Sequence, residues 1–158
     1  MTNSKNNTKT FKNLESAFAG ESMANRKYLY FAKLANELGE VEIAKLFEDT
    51  ANQETGHAFS HLELLYPKKE MTVEKLLEIA MEGELYECTV MYPGFESEAM
   101  QEGQLEACHE FKDQGQESSK HFELFTKAAK RFGVLKKVEK RHADKYKEAL
   151  KTKLLTPM

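Results

Sequence analysis

The two halves of this 158-residue chain repeat one helical pattern, and the repeat limits the possible folds more than any other feature. In each half a Gly-Glu pair comes first, a glycine turn signal follows, and a phenylalanine then stands ten residues before a histidine. Such internal repetition predicts two helical hairpins that descended from one unit, with a pseudo-symmetric site between them. The repeated elements are Gly20-Glu21 and Gly83-Glu84, Leu38-Gly39-Glu40 and Glu102-Gly103-Gln104, Phe47 with His57 and Phe111 with His121.

Apolar residues recur at helical spacing along the whole chain, and no segment alternates as a strand would, so the predicted class is all-α. Gly39 is a predicted helix stop, Thr72 a predicted N-cap, and Pro93-Gly94 a predicted kink or bulge within a helix. The predicted domain is a four-helix bundle over residues 10–132, after a polar tail over 1–9 and before a C-terminal segment over 133–158 that holds an additional basic helix. The predicted helices run over about Phe11–Glu37, Val41–Leu65, Thr72 to the turn at Glu102, Leu105–Arg131 and Leu135–Lys153.

Composition excludes several classes of partner. A formal net charge of −3 provides no basic footprint for nucleic acid. No apolar run approaches the roughly 20 residues of a membrane span, and the polar N-terminus has no secretory signal pattern. The two cysteines, Cys88 and Cys108, form no C-x-x-C pair and are predicted to be free thiols in a reducing cytoplasm.

A Glu-x-x-His element at Glu54 and His57 places a carboxylate and an imidazole on one face of a helix. Oxygen donors and imidazole are ligands that iron accepts, and carboxylate bundles with two metals use this element. One such pair is also common on surface helices, so the element alone is weak evidence.

The helical register strengthens the prediction of a two-metal site. Glu21 and Glu54 are nearly equidistant from the turn at Gly39, so antiparallel helices place them at the same height. Around Glu102-Gly103, Glu84 and Glu87 are likewise level with Glu117 and His121. These acids lie in otherwise apolar stretches, and several buried carboxylates need a cation to compensate their charge.

Four motifs in order resemble one known family. They are Ala17-Phe18-Ala19-Gly20-Glu21-Ser22, Glu54-x-x-His57-Ala58, Gly83-Glu84-Leu-Tyr-Glu87 and Met91-Tyr92-Pro93-Gly94-Phe95. Together they resemble the ferritin-like domain of rubrerythrins over about residues 10–132.

The resemblance implies a centre of two iron ions, with iron and zinc or another mixture also possible. It further implies that Glu87 and His57 exchange as ligands of one iron when the oxidation state changes. Tyr28 and Tyr92 match tyrosines that hydrogen-bond the ligand carboxylates. The implied metal ligands are Glu21, Glu54, His57, Glu84, Glu87 and His121.

The second half departs from the family at one ligand position. Three residues before His121 stands Ser118, and the nearest acid is Glu117, one residue further back. Glu117 is the candidate ligand if the helix is rewound there, for example by a π-bulge. Otherwise the site has lost one bridging carboxylate.

The function that the resemblance implies is reduction of hydrogen peroxide to water, as a defence against oxidative stress. Family members commonly carry an electron-transfer domain with two C-x-x-C pairs, and these 158 residues contain none. A separate donor such as a rubredoxin or a reductase is therefore expected. The alternatives are a ferroxidase, iron-handling or oxygen-reducing di-iron protein, and a non-catalytic metal-binding helical dimer.

A domain-swapped homodimer is the expected assembly. The predicted helices of about 24 residues are about 36 Å long, whereas the six residues from Tyr66 to Met71 span only about 20 Å. Such a short connection does not suit the lengthwise crossover of a ferritin-like bundle within one chain, and exchange between two copies removes the need for it. A simple up-down-up-down bundle is the alternative.

Overall fold

A computed structural model describes residues 8–133 of the chain. The predicted helix over Leu135–Lys153 and most of the predicted polar tail over residues 1–9 lie outside the described residues. The chain divides into two compact units between Met71 and Thr72, here called the first and second hairpins. Residues 8–133 contain helices and turns and no strand, which confirms the all-α class.

The first hairpin consists of two long helices, and the second contains a longer, compound rod opposite a single helix. A short 3-10 turn over Lys68–Glu70 lies in the connection between the hairpins. The elements are α1 (Lys9–Glu37) and α2 (Val41–Leu65) in the first hairpin, and α3 (Val73–Tyr86), a π-helical segment (Glu87–Met91), α4 (Tyr92–Glu102) and α5 (Leu105–Arg131) in the second. None of the helices in this described part of the chain is long and apolar enough to cross a membrane.

Both hairpins turn through the same glycine motif. Gly39 and Gly103 have φ angles of 83° and 72°, a left-handed conformation that glycine adopts without a steric penalty. The amide of the residue after each glycine donates a hydrogen bond of 2.9 Å to the carbonyl five residues back. This arrangement satisfies helix-end carbonyls and reverses the chain. The predicted stop at Gly39 is confirmed.

Threonine side chains cap the first helix of each hairpin. The Thr72 hydroxyl accepts a 3.3 Å hydrogen bond from the Lys75 amide at the start of α3. The Thr8 hydroxyl accepts a 3.1 Å bond from the Phe11 amide at the start of α1. Both caps satisfy amides that have no partner within their own helix. The prediction of Thr72 as an N-cap is confirmed.

The π-helical segment lies just before Pro93, at the predicted kink or bulge. Proline has no amide hydrogen, and in an α-helix its ring would clash with the carbonyl four residues earlier, at Thr89. The helix widens instead, and the Tyr92 amide donates to the Glu87 carbonyl five residues back. The rod therefore continues from α3 into α4 with one wide turn.

Asn25 fixes the register of the first hairpin. Its Nδ2 donates to the Ala51 carbonyl at 2.7 Å and to the Thr55 hydroxyl at 2.9 Å, across from α1 to α2. Alanines fill the interface between these helices, so the two backbones approach closely. The buried apolar residues of this hairpin are Ala32, Ala35, Ala44, Ala51, Ala58 and Leu65.

A cluster of three aromatic rings recurs in both hairpins between the turn and the Gly-Glu level. In each cluster a phenylalanine of the returning helix contacts two rings of the outgoing helix. Its ring centroid lies 6.0 and 5.6 Å from theirs in the first hairpin, and 6.4 and 5.5 Å in the second. Such edge and offset contacts add to the gain from burying the rings. The clusters are Tyr28, Phe31 and Phe47 in the first hairpin, and Tyr92, Phe95 and Phe111 in the second.

The far end of the second hairpin holds an apolar cluster. Met81 of α3 and Ala129 of α5 are buried there, and Leu77, Phe122 and Phe125 pack against them. This cluster holds α3 against α5 below the level of the candidate ligands. Both cysteines are free thiols, as predicted: Cys108 is buried and Cys88 is half-buried.

Candidate metal centre

The first hairpin brings together three of the predicted ligands. His57 Nδ1 lies 2.8 Å from Glu54 Oε2 on the same helix and 3.9 Å from Glu21 Oε2 across the hairpin. One ligand atom from each of these residues lies within 4.8 Å of the other two. The Asn25 bridge is one helical turn from Glu21, and it fixes the relative height of α1 and α2 at this level.

The second hairpin places Glu84 near His121. His121 Nδ1 lies 3.5 Å from Glu84 Oε2, which is too long for a good hydrogen bond and short enough to share one cation. Glu84 Oε2 is buried and makes no hydrogen bond. An orphaned buried carboxylate oxygen is costly in the absence of a cation. This oxygen marks the second candidate position for a metal.

Glu87 has a partner that the sequence did not predict. It begins the π-helical segment, and its Oε2 accepts a 2.9 Å hydrogen bond from the Ser118 hydroxyl of α5. Ser118 is only 5% exposed. The residue that interrupts the second Glu-x-x-His element thus faces inward and contacts a predicted ligand.

The structure does not bring Glu117 to the other carboxylates. Helix α5 is α-helical throughout Leu105–Arg131, so the rewound turn that would carry Glu117 inward is absent. Glu117 is exposed, and within residues 8–133 no hydrogen bond or ion pair joins it to Glu87 or His121. The wide turn occurs instead in the opposite rod.

The side chains of Glu21, Glu54 and His57 fit a divalent cation. Ligand bonds of about 2.0–2.2 Å place neighbouring donor atoms roughly 3–3.5 Å apart, so the first group needs only a small contraction to bind one ion. Within the described residues no lysine or arginine pairs with the candidate ligands. Lysine ion pairs there include Lys33–Glu37, Lys45–Asp49 and Lys127–Glu123.

Tyr92 lies in the electrostatic field of the second group. Burial raises the pKa of its hydroxyl above 10.0, and the nearby carboxylates of Glu87, Glu110 and Glu84 raise it further. Gly115 of α5 allows its close approach, since a Cβ at that position would lie 3.2 Å from the Tyr92 Cβ. The phenol therefore keeps its proton at neutral pH and can act as a hydrogen-bond donor.

The expected hydrogen bonds from tyrosines to ligand carboxylates are absent from the described part of the chain. The Tyr28 ring stacks on Phe47, and the Tyr92 ring contacts Phe95 and Phe111. Both rings therefore have a packing role in the aromatic clusters. Their predicted role as ligand-orienting donors stays a prediction.

A known family matches most of the chain. The rubrerythrin family model matches residues 12–129. This chain belongs to the rubrerythrin family. The prediction made from the four sequence motifs is thereby confirmed, and with it the ferritin-like class of the helices.

Individual relatives agree with this assignment. Nigerythrin of Nitratidesulfovibrio vulgaris is 35% identical over 131 residues, which cover 75% of this chain and 65% of that protein. A rubrerythrin of Clostridium perfringens is 34% identical, over 78% of this chain and 71% of that protein. A solved structure of nigerythrin in a fully reduced, all-ferrous state is 33% identical, with a TM-score of 0.40, over 85% of this chain and 73% of the other. The chain thus spans about two thirds of the length of these rubrerythrins.

Two contributors to the site were missed from the sequence. Asn25 gave no signal, because an asparagine inside a helix is ordinary until its partner on the next helix is known. The inward direction of the Ser118 side chain could have been inferred, because Ser118 and Glu54 both stand 15 residues after their turn glycines. That correspondence predicts an inward-facing Ser118 without any rewinding of α5.

Proposed function

We propose that this rubrerythrin is a di-iron peroxidase that reduces hydrogen peroxide to water with electrons from a separate donor. The observation that carries the proposal is that each hairpin holds two carboxylates and one imidazole with no lysine or arginine partner in the described residues. Family membership supports iron as the metal. The proposed ligands are Glu21, Glu54 and His57 in the first hairpin, and Glu84, Glu87 and His121 in the second.

The residues of the chain have distinct parts in this proposal. When bound, two ferrous ions supply the two electrons and the Lewis acidity that cleave the O–O bond of hydrogen peroxide. The four carboxylates compensate the four positive charges of two such ions. The Tyr92 hydroxyl holds its proton and remains neutral beside these acids. Reduction of one peroxide to two water molecules also consumes two protons, which water can supply.

Single-turnover oxidation tests the peroxidase proposal. The full-length protein is purified without oxygen, loaded with ferrous iron, and mixed with one equivalent of hydrogen peroxide or of oxygen. We expect two irons per centre, and we expect the near-ultraviolet absorbance to change much faster with peroxide than with oxygen. His57→Ala should lose the response, whereas His61→Ala, four residues further along the same helix, serves as the matched control and should retain it.

Two other outcomes would redirect the assignment. Faster oxidation by oxygen than by peroxide would favour the ferroxidase or oxygen-reducing alternative. A protein that binds zinc and does not respond to either oxidant would favour a non-catalytic metal-binding protein. The observation in favour of that second candidate is Ser118, which stands where the first hairpin has the carboxylate of Glu54.

We also propose that the protein assembles as a domain-swapped homodimer, in which the first hairpin of one copy completes a bundle with the second hairpin of the other. Large apolar side chains that are exposed in both hairpins support assembly: Leu46 and Phe59 are 60% exposed in the first, and Leu124 is 60% exposed in the second. A partner that buries such residues gains hydrophobic free energy.

Mixed dimers test the exchange of hairpins. One copy carries Glu54→Ala in the first hairpin, and the other carries His121→Ala in the second. If hairpins are exchanged, a mixed dimer regains one intact centre and binds metal, while neither variant does so alone. If each centre is built from a single chain, the mixture stays as inactive as the separate variants.

A further inference from the structure

The two hairpins differ in how they present their second carboxylate. In the first hairpin Glu54 of α2 stands three residues before His57 and contacts it directly. In the second hairpin the corresponding helix offers only the hydroxyl of Ser118, and that hydroxyl donates to Glu87 of the opposite rod. Both hairpins nevertheless contain two glutamates and one histidine at this level.

We propose that Ser118 is a positioning residue that holds Glu87 of the opposite rod in place as a metal ligand. This inference rests on the proposed metal centre. A glutamate side chain has several rotatable bonds, and a hydrogen bond to one carboxylate oxygen restricts them while leaving the other oxygen available. The Ser118 hydroxyl is suited to this, because it is buried and donates a 2.9 Å hydrogen bond to Glu87 Oε2.

The wide helical turn gives this arrangement a structural reason. Glu87 begins the π-helical segment, one turn after Glu84, so both carboxylates of the second hairpin come from the same rod. A carboxylate at position 118 would lie against Glu87 and repel it. A serine instead attracts Glu87. In the first hairpin the residue three positions after Glu21 is Ala24. Helix α1 therefore has no carboxylate at that position that would repel Glu54.

Cobalt binding tests the role of Ser118 without measuring turnover. The metal-free, full-length protein is titrated with Co(II) under anaerobic conditions, and binding is followed by calorimetry and by the visible absorption of the coordinated ion. We expect Ser118→Ala to weaken one of the binding events by about 10- to 100-fold, the usual range for a residue that orients a ligand. Ser119→Ala, which changes the exposed neighbouring serine, should leave both binding events unchanged.

A double-mutant cycle separates positioning from simple packing. In a Glu87→Ala background, Ser118→Ala should have no further effect on Co(II) binding, because the two residues act as one unit. Ser118→Thr keeps the hydroxyl and should retain most of the affinity if it folds. Wild-type affinity in Ser118→Ala, or an equal loss in the Glu87→Ala background, would overturn the inference while leaving the metal centre intact. Absence of Co(II) binding by the wild-type protein would instead overturn the proposed function and this inference with it.

Discussion

The first and second hairpins correspond residue by residue, but the offset between them changes at one place. Before the wide turn, Glu21 and Glu84 are 63 residues apart. After it, Tyr28 and Tyr92 are 64 apart, and so are the turn glycines and every later pair, including Glu54 with Ser118. The additional residue lies within the π-helical segment Glu87–Met91.

The change in offset shows how a helix can gain a residue without losing its packing. One α-helical residue advances the chain by about 100°, so an insertion in an ordinary helix rotates everything that follows. A wide turn takes up the additional residue and leaves the next residues on their original face. The aromatic cluster of the second hairpin accordingly repeats that of the first after the insertion. The second hairpin therefore accommodates the additional residue and still closes on α5.

The largest expected difference is between two separate variants, each with one residue deleted from one hairpin. Deletion of exposed Lys27 rotates the end of α1 by about 100°, which moves Tyr28 off Phe47. We expect the metal-free protein to lose its cooperative thermal transition. Deletion of Val90 only converts the wide turn into an ordinary α-helical turn. The clash of the Pro93 ring should then lower the free energy of unfolding by about 3 kcal/mol, or Tm by roughly 6–12 °C.

Calorimetry on both deletion variants checks this prediction. Pro93→Ala in the Val90 deletion should recover most of the lost stability, because the clash then disappears. If the Val90 deletion is as damaging as the Lys27 deletion, the wide turn does not absorb the additional residue.

The next effect comes from making the second hairpin resemble the first. Ser118→Glu places a carboxylate in a buried position beside Glu87. An uncompensated buried charge costs about 3–5 kcal/mol, which is roughly 6–20 °C in Tm for the metal-free protein at pH 7. The repulsion raises the pKa of the introduced carboxyl in the folded protein. The folded variant is therefore most stable at acidic pH, where this carboxyl is protonated, and it loses stability as pH rises.

Thermal unfolding at acidic and neutral pH, with and without Co(II), measures this effect. Co(II) should restore most of the stability at neutral pH, because the added carboxylate becomes a ligand. Ser119→Glu is the matched control and should change Tm little. A Ser118→Glu protein that is as stable as the wild type without metal would show that position 118 is not close to Glu87 in solution.

The complementary change makes the first hairpin resemble the second, and it should weaken metal binding. Glu54→Ser removes a proposed ligand, and α1 has no counterpart of Glu87 to replace it, because Ala24 occupies that position. We expect Co(II) affinity to fall by at least about 100-fold, beyond the range for residues that only orient a ligand. Calorimetric titration checks this, with Glu63→Ser on the exposed side of α2 as the control. An unchanged affinity would mean that the two hairpins are interchangeable.

A smaller effect concerns the Asn25 bridge of the first hairpin. Asn25→Ala removes the two hydrogen bonds that Asn25 donates to the Ala51 carbonyl and the Thr55 hydroxyl, and should cost about 1–2 kcal/mol. That is roughly 2–8 °C in Tm. Exposed Asn13→Ala on the same helix should have almost no effect. Equal Tm values for the two variants would show that the register of α1 and α2 does not depend on this bridge.

The smallest effect is electrostatic. Glu87→Gln removes the second-largest cause of the raised Tyr92 pKa, after burial, so this pKa should move toward 10.0 and stay above it. The raised pKa means that Tyr92 favours folding below pH 10 and that this contribution disappears as pH rises through the folded-state pKa. Ring-carbon NMR of labelled tyrosine measures the shift, with Tyr92→Phe for assignment. An unchanged pKa in Glu87→Gln would place the Glu87 carboxylate away from this phenol.

Much of the fold could be predicted because local chemistry determines it. A left-handed turn requires glycine, so the helix stops at Gly39 and Gly103 are visible in the sequence. Thr72 is a cap because its hydroxyl can accept an amide hydrogen bond. Pro93 cannot donate, so a distortion near it was predicted, although the wide turn lies on its N-terminal side at Glu87–Met91.

The part of the site that could not be predicted depends on contacts between helices. The spacing of Glu54 and His57 indicates a shared face, and the structure brings them together with Glu21. The hydrogen bond from Ser118 to Glu87 could not be predicted, because it depends on how the wide turn directs one rod toward α5. A rewound turn in α5 would bring Glu117 inward, but α5 is α-helical throughout and the wide turn lies in the opposite rod.

The wide turn also records the history of the chain. If the two hairpins arose by duplication, the additional residue was either gained by the second copy afterwards or lost from the first. After that event, recombination could replace the stretch after Glu84 with the stretch after Glu21. Such a replacement would remove both the additional residue of the wide turn and Glu87. The two copies can therefore no longer substitute for each other, and selection acts on the candidate ligands of each hairpin separately.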